Sequence, residues 1–215
     1  RGRRRDHGQD GEDGSVLFNR NFALGDDGSI YFNGQAGHLL RLDPGTKQIT
    51  ETGIVFPDSP GLRASTRQAK SGDFYGATHK TNQLVRFNPE KGEQEPLGPT
   101  WGTGQYTTVA VLSPDERFVY YLPGAHGQAF KYGTPVVQYD IAAKTRKVLA
   151  FLAGAFEEQC NYVPGGTYGV KLSPDGGTLY VNFNGHAADT IRPAKMKPNG
   201  FGLCSFLELQ VPANE

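Results

Sequence analysis

Cysteine, excess charge of either sign and long apolar runs are all scarce in this chain. Lys+Arg and Asp+Glu both number 22, so the formal net charge is +0, and no overall field draws the chain to nucleic acid or an acidic membrane. No apolar run approaches the roughly 18 residues that a membrane-crossing helix needs, so no transmembrane segment is expected. The five His residues show no metalloprotease or zinc-finger spacing. The glycine-rich stretch Gly98-Pro99-Thr100-Trp101-Gly102-Thr103-Gly104 lacks the Gly-Lys-Ser/Thr ending of a phosphate loop.

Turn formers and aromatic residues are plentiful. The chain has 29 Gly and 14 Pro beside 10 Tyr and 13 Phe, a composition suited to many short strands joined by tight turns. One pattern recurs. Leu172-Ser173-Pro174-Asp175-Gly176-Gly177-Thr178-Leu179-Tyr180-Val181 is echoed by Leu112-Ser113-Pro114-Asp115-Glu116-Arg117-Phe118-Val119-Tyr120-Tyr121, and more loosely by segments 24–32 and 69–75. Proline presets φ, aspartate bonds back to nearby backbone and glycine accepts positive φ, so each copy predicts a strand, a tight turn and a second strand.

Four units of similar plan follow, at 15–53, 62–98, 105–152 and 167–211. In the first, strands are predicted at 16–24, 29–33, 38–42 and 48–52, and in the second at 65–69, 73–77, 83–87 and 94–97. The third gives 106–112, 118–122, 135–139 and 146–151. The fourth gives 168–172, 178–182 and 204–210, with no outer strand. Four short strands per unit at a period of roughly 40 to 50 residues is the pattern of β-propeller blades. The expected fold is therefore all-β, with four recognisable blades as part of a six- to eight-bladed ring. Another polypeptide or a severed N-terminal portion would complete it. Residues 1–14 are polar throughout, a basic block followed by an acidic one. They are expected to be disordered or processed.

The Ser-Pro-Asp-Gly turn leading into Leu179-Tyr180-Val181, with the strand Val136-Val137-Gln138-Tyr139-Asp140, resembles the broad superfamily of extracytoplasmic propellers that includes streptogramin lyase-like and gluconolactonase-like proteins. The resemblance spans about residues 15–211 and rests on turn and strand motifs. It implies a periplasmic or extracellular location. The gluconolactonase group implies a divalent metal ion held at the axis by acidic and amide residues, but no stretch here matches such a ligand set, and no catalytic residue is carried over.

In a blade of this kind the short turns share one face and the long connections the other, and long loops on a rigid scaffold are where binding sites usually lie. His38, His79, His126 and His186 fall on or beside the connections between second and third strands, with His126 and His186 in matching register after Tyr120 and Tyr180. His79, His126 and His186 are candidate metal ligands, and His126, His186 and Tyr132 candidate acid/base groups. Trp101, Tyr106, Lys80, Lys131 and Arg192 are candidate ligand-binding residues, with rings for sugar faces and cations for carboxylates or phosphates. Loop histidines are also common without any role, and Trp101 is at least as well read as a residue packed between blades. Cys160 and Cys204 both map near the same face, where a disulfide is expected. Three functions stay open: an assembly or binding module, a propeller lyase or hydrolase acting on a carbohydrate or similar small molecule, and a non-catalytic carbohydrate binder.

Overall fold

One turn, made four times, sets the architecture. In a computed structural model that describes residues 21–101, 106–124, 129–187 and 203–212, the amide N–H groups of Gly28, Gly72, Glu116 and Gly176 donate to the carbonyls three residues earlier at 2.8–3.0 Å. All four take positive φ, at 84°, 85°, 62° and 80°. Glycine suits that conformation; Glu116 adopts it against a steric cost. Its carboxylate accepts from the Arg67 guanidinium at 3.0 Å and from the Lys70 amide at 3.1 Å, both in the preceding unit. Turn aspartates close the loops: Asp115 accepts from the Ser113 hydroxyl at 2.6 Å, and Asp175 from the Gly177 amide at 3.0 Å.

Each turn joins the first two strands of an antiparallel sheet. Blade 1 is β1 (Phe22–Leu24), β2 (Ile30–Asn33), β3 (His38–Leu42) and β4 (Ile49–Val55). Blade 2 is β5 (Leu62–Ser65), β6 (Phe74–Thr78), β7 (Gln83–Asn88) and β8 (Glu93–Pro99). Blade 3 is β9 (Thr107–Leu112), β10 (Phe118–Pro123), β11 (Pro135–Asp140) and β12 (Thr145–Phe151). Among the described residues blade 4 has three strands, β13 (Tyr162–Leu172), β14 (Thr178–Ala187) and β15 (Leu203–Gln210). Strand order in every sheet follows the chain. The first strand β9 neighbours both β5 and β13, and among the described residues the propeller is not closed.

The core lies in the seams between sheets. Strand alternation gives each blade two apolar faces. Tyr31 of blade 1 meets Phe74 of blade 2 edge-on at 5.6 Å. Tyr75 clusters with Val119, Tyr121 and Val137 of blade 3, and Tyr120 with Leu179, Val181 and Phe183 of blade 4. Burial raises the Tyr75 phenol to about 12, with the nearby Asp73 charge adding to it. Polar stitches fix the stagger: the Asn33 amide donates to the Leu62 carbonyl and accepts from the Leu62 N–H at 2.8 and 2.7 Å, and the Tyr121 hydroxyl donates to the Thr100 carbonyl at 3.0 Å.

Besides shifted ends, as in β4 and β13, which run over Ile49–Val55 and Tyr162–Leu172 where 48–52 and 168–172 are expected, other segments differ from the sequence expectation. In blade 2 the first strand ends at Ser65 instead of beginning there, because the Thr66 hydroxyl accepts the Tyr75 N–H at 3.1 Å and Arg67 turns away to the Ser113 carbonyl at 2.9 Å. The connection expected as a loop before blade 4 holds helix α1 (Leu152–Cys160), ended by Asn161 in the left-handed region. β14 runs on to Ala187, so His186 lies within a strand, opposite Val163.

Candidate functional site

Both described candidate metal-ligand histidines pack on blade 3. His79 directly follows β6 and is buried; its N–H donates to the Gly61 carbonyl at 2.8 Å, and its carbonyl accepts from the Ser59 hydroxyl at 2.7 Å. Its ring stacks on Tyr106, with centroids 4.7 Å apart and planes 28° off parallel. His186 of blade 4 meets Phe130 at 5.5 Å, nearly perpendicular. His126 and Arg192 lie outside the described residues. Among the described residues no three His, Cys, Asp or Glu side chains gather as a metal site.

The other candidates divide between packing and exposure. Trp101 is half-buried against the seam between blades 2 and 3 and lies 6.4 Å from the Phe151 ring, edge-on. Lys80 is exposed with φ at 66°. Lys131 and Tyr132 close a short 3₁₀ turn over Ala129–Tyr132, both exposed. The expected disulfide is not formed: Cys160 and Cys204 are exposed free thiols. Helix α1 fixes Cys160 at its C-terminal end, while Cys204 faces its strand neighbour Asn184 and donates to Oδ1 at 3.1 Å.

A cavity at the opposite, turn-bearing end of the axis went unread in the sequence. Its volume is about 890 Å³, and its walls come from all four blades, including Leu24, Thr66, Val111 and Leu172. Asp26, Arg67 and Lys171 add charge among these apolar groups. The signal for it was the Leu that ends the first strand in blades 1, 3 and 4, Leu24, Leu112 and Leu172, which reads locally as core. Nearby, the Asp26 N–H donates to Gln68 Oε1 at 2.8 Å, tying the turns of blades 1 and 2. Hydrogen bonds hold the turn carboxylates below their ordinary value: for Asp27 the Ser29 amide acts most strongly, and for Asp115 and Asp175 the neighbouring Ser113 and Ser173 hydroxyls.

Turn, blade and seam geometry together define a β-propeller-type chain. No family model matches the sequence, and no curated protein matches it. Among solved structures it is similar to hydrazine synthase of Kuenenia stuttgartiensis, with a TM-score of 0.57 and 14% identity over 85% of this chain and 46% of that one. It is also similar to a chain of a nidogen/laminin complex, with a TM-score of 0.54 and 12% identity over 76% and 56% of the two chains. Both are propeller-containing structures, and the likeness is one of fold. The chain spans about half the length of each.

Proposed function

We propose that this chain is a four-bladed arc of a larger, six- to eight-bladed propeller, and that it acts as an assembly and binding module. One observation carries the reading: equivalent residues are buried in the seams and uncovered at the two ends. Tyr31, Tyr75 and Tyr120 are buried, whereas Tyr180 at the same position of blade 4 is half-exposed and stacks on Phe206, itself 63% exposed. Phe74, Val119 and Leu179 are buried, whereas Ile30 at the same position of blade 1 is half-exposed beside Phe22 and Leu24. The apolar face of blade 1 and the Tyr180–Phe206 ring pair of blade 4 are both stabilised when another sheet covers them. Ring completion by blades from another chain or an upstream segment would cover both.

The loop-rich face, with Lys80, Lys131 and Tyr132 exposed around the His79–Tyr106 and His186–Phe130 pairs, would then present the binding surface. A small-molecule or carbohydrate ligand suits its rings and cations. The resemblance to extracytoplasmic propellers supports a periplasmic or extracellular setting. Mass and polypeptide composition of the native particle test the reading. A particle heavier than the 23.4 kDa chain, containing further blades, is expected. A closed monomer with Tyr180 and Ile30 both covered would overturn it.

A further inference from the structure

The charge in the cavity at the turn-bearing end comes from one repeated position. In each blade the first strand runs into a turn whose opening carbonyl accepts the amide three residues on; those carbonyls belong to Gly25, Ala69, Ser113 and Ser173. Two residues before them stand Ala23, Arg67, Val111 and Lys171. The last three line the cavity, at the same step of blades 2, 3 and 4. Two cations therefore flank one valine, since β9 neighbours both β5 and β13.

The fold does not use up these cations. Lys171 is exposed and makes no hydrogen bond or ion pair among the described residues. Arg67 spends Nη1 on the Gln68 carbonyl and Glu116, and Nη2 on the Ser113 carbonyl, at 2.9–3.0 Å, which fixes the guanidinium and leaves Nε without a bond among the described residues. Asp26 is the one acid among the described residues of the wall. Elsewhere the wall of blades 3 and 4 is largely apolar, with Ala110, Val111, Val170 and Leu172 each half-buried. The rim is held in place before any ligand arrives. Turn 1 is tied to turn 2 by the Asp26 N–H on Gln68 Oε1 at 2.8 Å, and turn 2 to turn 3 by the Lys70 amide on Glu116 at 3.1 Å. Turn 3 packs on turn 4 so closely that a Cβ at Gly176 would stand 3.2 Å from Pro114 Cδ.

We infer that this cavity is a binding site for a small amphipathic anion, a carboxylate carried on an apolar chain or ring. Its volume of about 890 Å³ is that of a small-molecule site, and such sites combine apolar walls with a few placed polar groups. Lys171 and Arg67 supply donors for the carboxylate, while Val111, Val170 and Leu172 take the apolar body. Two cations against one acid set the sign of the head group: an ammonium on the same body would meet like charge on two walls. A rim already ordered by the fold leaves less conformational freedom to be lost on binding. The site lies at the opposite end from the loop-rich face, and every residue it uses belongs to this chain, so it does not depend on what completes the ring.

Isothermal titration calorimetry of the full chain in its native particle, with octanoate and octylammonium as probes, tests this. The two share a tail and differ in the sign of the head. Octanoate is expected to bind once per chain, about tenfold or more tighter than octylammonium. Lys171→Gln should weaken octanoate roughly fivefold and leave the melting temperature unchanged, because Lys171 holds nothing in the fold. Lys80→Gln and Lys131→Gln, both exposed on the loop-rich face, should leave octanoate binding as it was. Neither probe binding, or both binding equally, would overturn the proposal. So would octanoate binding that Lys171→Gln leaves intact. Binding weakened by Lys80→Gln or Lys131→Gln instead would also overturn it, and would move the anion to the loop-rich face.

Discussion

Tyr120 and Tyr180 occupy the same place in consecutive blades and live in different surroundings. Tyr120 is 2% exposed, packed on blade 4 with its hydroxyl accepting from the Gln138 amide at 3.1 Å. Tyr180 has the Phe206 ring for company and solvent beyond it. The first hairpin is the same in both blades: the turn matches, and Leu112 pairs with Val119 as Leu172 pairs with Leu179. A blade therefore specifies its own sheet, while burial of its faces is conferred by neighbours. That separation lets an arc of blades fold with finished seams inside and unfinished ones at its ends.

The largest expected contrast is at the incoming position. Phe74 is 0% exposed, stacked on Phe87 at 5.3 Å, and Phe74→Ala should cost about 4 kcal/mol. Ile30→Ala, at the equivalent half-exposed site, should cost only about 1 kcal/mol. Urea unfolding of the chain measures both; equal losses would break the comparison. On the outgoing side, Tyr120→Ala should cost about 3 kcal/mol, through lost packing and an unsatisfied Gln138 amide. Tyr180→Ala should cost less than about 1 kcal/mol. The same unfolding series ranks the two.

Smaller effects sharpen the account of how seams are pinned. Glu116→Ala removes both the Arg67 and Lys70 links across the seam between blades 2 and 3. The ion pair is partly exposed, so about 1 kcal/mol is the expected ceiling. Glu116→Gly should recover part of that loss by relieving the φ of 62°, which thermal melts of the two variants would show. Smallest is the response to acid. Asp27, Asp115 and Asp175 are all held below their ordinary value of 3.8 by turn hydrogen bonds. Their contribution is complete above that value and is lost as pH falls through the lower folded values. The melting temperature should stay level from about pH 7 to 5 and decline below about pH 4, and Asp27→Asn should make the decline shallower.

The fold was legible where local chemistry decides it. Pro174-Asp175-Gly176 and its relatives fix a turn within a few residues, so β2, β3, β7 and β11 fall close to where the pattern placed them. What the sequence hid depends on distant partners. α1 contains Gly154 and has no side-chain cap at its N-terminus, so neither start signal nor propensity announced it. β5 stops early because the Thr66 side chain takes a ladder partner. For the candidate site, register along the strands gives the height of His79 and His186 within the blade but not the side to which each ring turns. Tyr106 and Phe130 supply that, and both come from blade 3. The axial cavity needed all four blades in place before it existed.

The most direct test is hydroxyl-radical footprinting of the tyrosines across a dilution series of the assembled native particle. Ring completion requires Tyr180 to be as protected as Tyr75 and Tyr120 in the native particle, and to be reactive in the isolated 23.4 kDa chain while the other two stay protected. Tyr180 reactive in the native particle at every concentration, or protected in the isolated chain, would contradict it.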